Sequence, residues 1–298
     1  MFKATLALLY GKPKSYKSFL ALDFGLSIAG GRSWGDRATA QGPVIYVAAE
    51  GLAGLGKRIQ AWEQAYGHTR TASGEDFYVL PERVRVLQPN DVAALVDLTT
   101  ILKPALVVLD TLNRSLAGGD ENNSRDMGLA VEAADQIRQA GSTVLIVHHA
   151  DKEGRNYRGH SSLEGAVDTV LRLEKAGRSL TLITDAQKDA AEADRIKLKT
   201  SSESVGADTS LVLYCQTDDG SNDDEANPAE LDLLATLGST FGSNGASASQ
   251  LLKVSAMAEW TFYRALKGLV DRGLVRNAGT AARTRYVVVK PVEQGKLP

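Results

Sequence analysis

The chain has 298 residues, a hydrophobic content of 43% and a formal net charge of -2. This hydrophobic content excludes a chain that is disordered throughout, and the length suits one large domain or two domains with a sizeable hydrophobic core. Because the net charge is close to zero, any surface that binds nucleic acid has to be local. The single cysteine, Cys215, excludes an intramolecular disulfide framework and a cysteine-rich zinc site.

No apolar stretch approaches the roughly 18 residues that a membrane-spanning helix needs. The N-terminal apolar run also lacks the layout of a signal peptide. We therefore expect a soluble cytoplasmic protein with no membrane partner.

The first strong pattern predicts a strand, a turn and a helix in succession. Apolar residues 4–10 fit a buried strand, residues 11–16 fit a turn, and helical spacing begins at Lys17. Gly11, Lys17 and Ser18 stand at the spacing of a P-loop, G-x-x-x-x-G-K-[ST]. In such a loop the backbone N–H groups bind phosphate, the lysine reaches the β- and γ-phosphates, and the serine hydroxyl ligates Mg²⁺.

This spacing predicts a nucleoside triphosphate site. The predicted nucleotide-binding residues run through the loop into the helix: Gly11, Lys12, Pro13, Lys14, Ser15, Tyr16, Lys17, Ser18 and Phe19. Tyr16 departs from the pattern, because its position commonly needs the backbone freedom of glycine. The alternative interpretation is a basic surface turn ahead of a core helix.

From residue 11 to about residue 215, short apolar runs alternate with segments of helical period, which is typical of βαβ units and a parallel sheet. The predicted strands are 44–49, 84–87, 105–110, 143–148, 167–173, 180–184, 195–199 and 211–214, and the early helices are 55–66, 92–102 and 123–139. The last four strands follow one another without helices. The predicted fold is therefore an α/β P-loop core with a mostly parallel sheet and an antiparallel edge.

The apolar run 105–109 ends in Asp110, as a Walker B strand does. An aspartate at that end of the strand would hold Mg²⁺ together with Ser18, on the sheet edge where open α/β folds bind ligands. An aspartate that ends a buried strand can instead cap a helix or start a turn.

The sequence Leu-Asp-Thr-Leu-Asn-Arg-Ser at residues 109–115, followed by Gly-Gly-Asp-Glu-Asn at residues 118–122, resembles the Walker B segment of RepA-type hexameric helicases. These belong to the RecA/DnaB-like ATPases of plasmids and phages. The resemblance covers roughly residues 4–214 and implies a RecA-like ATPase domain over residues 1–215. It also implies ATP and Mg²⁺ as cofactors, a homo-oligomeric ring, expected to be a hexamer, and single-stranded DNA as partner.

The same resemblance implies four catalytic residues. Lys17 belongs to the P-loop, and Glu50, after an apolar strand, corresponds to the general base that activates water. His149 corresponds to a γ-phosphate sensor beside His148, and Lys188 to a finger residue that reaches a neighbouring subunit's nucleotide, with Arg195 as fallback. The alternative interpretations are that Glu50 only faces solvent, that His148 and His149 are a structural pair, and that Lys188 is an ordinary surface lysine.

A basic segment follows the histidines and contains Lys152, Arg155 and Arg158 among glycines. In a ring, such loops line the channel and can follow a nucleic-acid backbone. A solvated loop is the alternative.

Residues 216–228 are acidic and rich in Gly, Ser and Asn, which predicts a flexible linker. Residues 229–298 carry three helical patterns and a strand pair that fit a winged-helix module. Arg264 and Lys267 of the third helix are predicted nucleic-acid contacts. Winged helices also bind other proteins, so a protein-docking role for this module is the alternative.

Together these patterns predict an ATP-hydrolysing motor on single-stranded DNA, a replicative helicase of plasmid or phage type that works with other replication proteins. A second hypothesis is an ATP-switched DNA-binding regulator or loader without unwinding activity. A third is a nucleotide-independent scaffold, which only Tyr16 suggests.

Overall fold

The structure is a computed structural model that describes residues 4–66, 76–151, 153–154, 156–160, 162–177, 179–188, 195–216, 228–255, 257, 259–279 and 284–289. The chain divides into two compact units, residues 1–217 and 218–298. Residues 217–227, most of the predicted acidic linker, lie outside the described residues. No helix among the described residues is both long enough and apolar enough to cross a membrane.

The first unit alternates strands and helices and then continues as strands. Its elements are β1 (Leu6–Gly11), α1 (Lys17–Ala29), β2 (Val44–Ala48), α2 (Leu52–Tyr66), β3 (Phe77–Leu80), α3 (Pro89–Leu102), β4 (Leu106–Asp110), α4 (Leu112–Leu116), α5 (Ser124–Gln139), β5 (Thr143–His149), α6 (Ser162–Ala166), β6 (Thr169–Ala176), β7 (Ser179–Gln187), β8 (Ile196–Val205) and β9 (Asp208–Cys215).

Within the described residues these strands form one sheet in the order β3-β2-β4-β5-β1-β6-β7-β8-β9. The pairs from β3 to β6 are parallel, whereas β7, β8 and β9 continue the sheet as antiparallel strands. The predicted mostly parallel α/β sheet with an antiparallel edge is confirmed. We call the side at which β1, β2, β4 and β5 end the carboxyl edge, and it is where residues after these strands meet.

The central strands are buried on both faces because helices cover the parallel part of the sheet. Every residue of β1, β2 and β4 is buried. One core cluster joins Leu8, Val107 and Ile146 of three neighbouring strands to Met127 and Ile137 of α5. Continuous apolar runs such as residues 106–109 therefore form buried strands. Close packing around these strands fixes the positions of the residues at their ends.

One strand lies elsewhere than predicted. The prediction at residues 84–87 is wrong, because β3 is Phe77–Leu80, paired in parallel with β2. Both stretches are rich in residues that favour strands, but Pro81 follows β3 and lacks the N–H that would extend the ladder. Val86 is buried in the core from a loop, where its N–H donates to the Ser115 carbonyl at 3.0 Å.

A buried carboxylate anchors the helix that begins at the predicted P-loop. Asp23 of α1 accepts hydrogen bonds from Trp34 Nε1 at 2.6 Å and from Trp62 Nε1 at 2.7 Å. Burial raises the pKa of Asp23 to about 6, against the opposing effect of the two indole N–H groups. The contact connects α1 to α2 and to the segment between α1 and β2.

The second unit has its own core. Its elements are α7 (Pro228–Phe241), a 3₁₀ turn (Gly242–Asn244), α8 (Ala248–Ser255), α9 (Glu259–Asp271) and the antiparallel pair β10 (Val275–Asn277) and β11 (Tyr286–Val288). Leu237, Leu251, Phe262, Leu269 and Val275 pack together in it. Each helix of this unit thus buries its apolar face against the others.

Candidate functional site

The predicted loop connects β1 to α1 at the carboxyl edge. β1 ends at Gly11 and α1 begins at Lys17. A side chain at Gly11 would place its Cβ 2.4 Å from the Leu173 carbonyl oxygen, so this position requires glycine. The Ser15 N–H donates to the Lys12 carbonyl at 3.2 Å, which closes the turn.

Tyr16 takes the conformation that glycine would take. Its φ of 70° and ψ of 24° are left-handed, and it is the residue that precedes the first turn of α1. This conformation costs a residue with a side chain about 1–2 kcal/mol. The Tyr16 carbonyl nevertheless accepts the Leu20 N–H at 3.0 Å, so the helix starts normally. The departure from the P-loop pattern therefore changes the side chain and leaves the course of the loop intact.

Lys17 is the charged group at the centre of the loop. Its side chain is buried, and Nζ donates to the carbonyls of Gly11 at 2.8 Å and of Lys12 at 2.9 Å. Burial lowers the pKa of Lys17 to about 8, although the charges of Asp110 and Glu50 act in the opposite direction. A partly desolvated ammonium inside a loop of backbone groups is suited to bind an anion.

Ser18 and Asp110 bring two side-chain oxygen atoms together at the start of α1. The Ser18 hydroxyl donates to Asp110 Oδ1 at 3.1 Å, and the Tyr46 hydroxyl donates to Oδ2 at 2.6 Å. Burial raises the pKa of Asp110, while both hydrogen bonds lower it. A hydroxyl and a carboxylate this close fit a hard divalent cation such as Mg²⁺, which takes few protein ligands when phosphates supply the rest.

Tyr46 was not predicted as a site residue. It is 1% exposed and lies in the middle of β2, among aliphatic residues. The hydroxyl of a buried tyrosine needs a hydrogen-bond partner, so a tyrosine within such a strand indicates a polar group nearby. The sequence therefore indicated a polar partner for the Tyr46 hydroxyl, but it did not identify that partner as Asp110.

Glu50 follows β2 on the same edge. The side chain is 46% exposed, its Oε2 accepts from the Thr111 hydroxyl at 3.4 Å, and the Arg114 guanidinium lies 3.9 Å away. Its negative charge raises the pKa of both Lys17 and His149. Glu50 thus lies within electrostatic range of both groups, with access to water.

The two histidines end β5 with different environments. In the β1–β5 register, His149 is the partner of Gly11, which places it beside the loop. Its Nδ1 is buried and has no hydrogen-bond partner among the described residues. His148 is fully buried, and its Nε2 bonds to the Arg158 carbonyl at 2.7 Å. Burial lowers the pKa of both imidazoles, so the neutral form is favoured near neutral pH.

With this geometry established, the chain can be compared with known proteins. A family model described as an AAA domain, AAA_25, matches residues 1–155, more than half of the chain. The chain belongs to this AAA domain family. A search of the curated proteins found no match.

Solved structures show the same fold as this AAA domain protein. The chain is similar to a KaiC-like protein from the hyperthermophilic archaeon Pyrococcus horikoshii OT3, with 14% sequence identity and a TM-score of 0.50. The match covers 71% of this chain and 90% of that one. The chain is also similar to the RadB recombinase, with 18% identity and a TM-score of 0.51 over 67% of this chain and 88% of that one. By family and fold the chain contains a RecA-like P-loop ATPase domain.

Lys188 lies beyond the matched AAA domain residues and at the other edge of the sheet. Its Nζ bonds to the Gly165 carbonyl at 3.2 Å and to Asp168 Oδ1 at 3.4 Å, and the other oxygen of Asp168 accepts the Leu6 N–H. Leu6 begins β1 and Gly11 ends it, so about 16 Å of strand separates Lys188 from its own P-loop. The side chain is therefore too far from its own P-loop to touch a nucleotide bound there.

The predicted nucleic-acid residues have different surroundings. Lys152 and Arg155 lie outside the described residues. Arg158 is 54% exposed and pairs through Nε with Glu121 Oε1 at 2.8 Å. Glu121 is a buried partner that the sequence did not indicate, and it also accepts from Asn113 at 3.1 Å. The Arg158 guanidinium is thus already anchored in the ATPase domain.

In the second unit, Arg264 and Lys267 both lie on α9. Lys267 is partly exposed, whereas the side chain of Arg264 lies outside the described part of the chain. Both residues also lie outside the AAA domain match.

Arg58 of α2 is a further site residue that no motif indicated. Its positive charge lowers the pKa of Asp110 and of Tyr46. Its guanidinium carbon lies 4.5 Å from the centre of the Phe19 ring. Arg58 is brought to the site by the packing of α2 and has no distinctive spacing from the loop.

Proposed function

We propose that this chain is an ATP-hydrolysing motor on single-stranded DNA, a replicative helicase of plasmid or phage type that works as a ring. The observation that supports it best is the convergence of Lys17, Ser18, Asp110, Glu50 and His149 at one sheet edge. The RecA-like fold agrees with this reading, and the resemblance of residues 109–122 to RepA-type helicases gives the motor its proposed substrate.

Each residue has a distinct role in the proposed hydrolysis. Lys17 binds the β- and γ-phosphates, and Ser18 with Asp110 would hold Mg²⁺, which supplies charge neutralisation on the phosphate oxygens when bound. Glu50 orients a water molecule and accepts its proton as the water oxygen bonds to the γ-phosphorus and the bond to the β–γ bridging oxygen breaks. The products are ADP and phosphate.

The histidines connect this site to the proposed DNA loop. The Arg158 N–H donates to the His149 carbonyl at 2.9 Å, and the Ala150 N–H donates to the Gly11 carbonyl at 2.9 Å. A change at the γ-phosphate that moves His149 would therefore reach the segment 150–160 through these bonds. In the proposed motor, this route carries the change to the segment that holds Lys152, Arg155 and Arg158, the proposed DNA contacts.

The proposal places ATP hydrolysis at subunit interfaces, with Lys188 of one subunit acting on the nucleotide of its neighbour. We expect Lys188→Ala to lower ATP turnover by on the order of 10³-fold with ATP binding retained, because the finger stabilises charge in the transition state of a neighbouring site. Mixing equal amounts of Lys188→Ala and Lys17→Ala restores roughly a quarter of the interfaces, those that combine an intact P-loop with an intact Lys188. Steady-state ATPase assays of the mixture measure this recovery.

Lys57→Ala is the matched control, since Lys57 forms an exposed ion pair with Asp208 and should leave turnover unchanged. Mixtures that are no more active than either variant alone would contradict action in trans.

The motor assignment itself is tested by strand displacement on a forked DNA duplex with ATP and Mg²⁺. We expect unwinding by the wild type and none by Lys17→Ala. The separate second unit, with its three helices and hairpin, favours one other function, an ATP-switched DNA-binding regulator or loader in which a winged helix does the targeting. ATP turnover without displacement at any salt concentration tested would support that function instead.

A further inference from the structure

Two aromatic rings and two cations form a continuous row across the first turn of α1. The Arg58 guanidinium carbon lies 4.5 Å from the Phe19 ring centre. The Phe19 and Tyr16 rings meet edge to face, with centres 5.8 Å apart. Lys175 Nζ lies 4.1 Å from the Tyr16 ring centre and donates to its hydroxyl at 3.1 Å. The row therefore runs from α2 to the end of β6.

The Tyr16 end of the row lies on a defined side of the P-loop. Glu50 follows β2, and Asp110 and His149 end β4 and β5; these three strands are all on one side of β1, whereas Lys175 belongs to β6 on the other side. A nucleoside triphosphate carries its γ-phosphate and its base at opposite ends, and the proposed function places the γ-phosphate beside Glu50 and His149. Its nucleoside then lies at the opposite end of the loop, toward Tyr16 and β6.

Both rings are accessible in this position. Tyr16 and Phe19 are each partly exposed, and Lys175 is exposed. The hydroxyl bond and the cation over the ring hold Tyr16 toward the β6 side, so the ring does not turn toward the phosphate-binding groups. An accessible aromatic surface with fixed orientation is suited to stack a planar base.

We propose that the Tyr16 ring is the nucleobase-stacking surface of this site, with the Phe19 ring packed edge to face against it and Lys175 as the positioning residue of Tyr16. This inference rests on the proposed function, because it assumes that the loop binds a nucleoside triphosphate. It assigns a binding role to the residue that departs from the P-loop pattern. The tyrosine keeps the backbone conformation of a glycine and adds a surface that glycine lacks.

Isothermal titration with two ligands tests the inference. Mg-ATP carries the base, whereas Mg-tripolyphosphate presents only the phosphate chain. We expect Tyr16→Gly to weaken ATP binding by on the order of tenfold and to leave tripolyphosphate binding unchanged, since base stacking on an aromatic side chain is lost. Glycine accepts the left-handed conformation, so the loop keeps its course in this variant.

Two conservative variants separate stacking from positioning. Tyr16→Phe keeps the ring and should bind ATP within about threefold of the wild type. Lys175→Met removes the cation and should weaken ATP binding without changing tripolyphosphate binding. An equal loss of both ligands in Tyr16→Gly, or no loss of either, would overturn the stacking role. A wild type that binds neither ligand would instead refute the proposed function on which the inference rests.

Discussion

Replacing Lys17 with alanine is expected to abolish ATP hydrolysis and to weaken ATP binding by at least about a hundredfold. The ammonium is buried within the loop and bonded to the carbonyls of Gly11 and Lys12. Removing it leaves a cluster that contains the carboxylates of Asp110 and Glu50 without its internal positive charge. Titration calorimetry measures the binding, and phosphate release measures the turnover.

Lys17→Arg is the matched control, and pH provides a second measurement. The pKa of Lys17 is lowered to about 8, so the side chain loses its charge as the pH rises through that value. We expect wild-type affinity for ATP to fall on the order of tenfold between pH 7 and pH 9, with proton uptake on binding above pH 8. Arginine stays charged throughout this range, so any binding that Lys17→Arg retains should not show the fall. Undiminished hydrolysis in Lys17→Ala would refute the P-loop assignment.

Replacing Glu50 with glutamine is expected to separate binding from chemistry. The change removes the base but keeps the size and the hydrogen bond from Thr111. We expect turnover to fall by about 10²–10⁴-fold, the usual contribution of a general base, while ATP binding changes by less than about threefold. Single-turnover hydrolysis and titration calorimetry on the same preparation measure the two quantities.

Glu82→Gln is a suitable control, because Glu82 is an exposed glutamate in the loop after β3. It should leave both binding and turnover at the wild-type level. A Glu50→Gln variant that hydrolyses ATP at the wild-type rate would exclude Glu50 as the base. Loss of ATP binding in that variant would show that Glu50 acts on binding and would make its catalytic role unnecessary.

Much of the sheet could be predicted because it depends on local patterns. Buried parallel strands appear as apolar runs, and the residues that end them, Glu50, Asp110 and His149, share an edge in any such sheet. The confirmed α/β fold and its antiparallel edge follow from the same reasoning. The strand at 77–80 could not be distinguished from residues 84–87, because both are rich in residues that favour strands and only pairing with β2 decides between them.

The sequence by itself determined the order of the elements, the loop between β1 and α1, and the identity of the residues at the ends of the strands, because periodicity and spacing are properties of the chain alone. The tertiary structure decided which groups meet across long separations. Tyr46 and Arg58 reach Asp110, Glu121 pairs with Arg158, and Lys175 orients the Tyr16 ring. These contacts depend on how distant segments pack, and no local pattern records a partner that lies tens of residues away or, for Lys175 and Tyr16, 159 residues away.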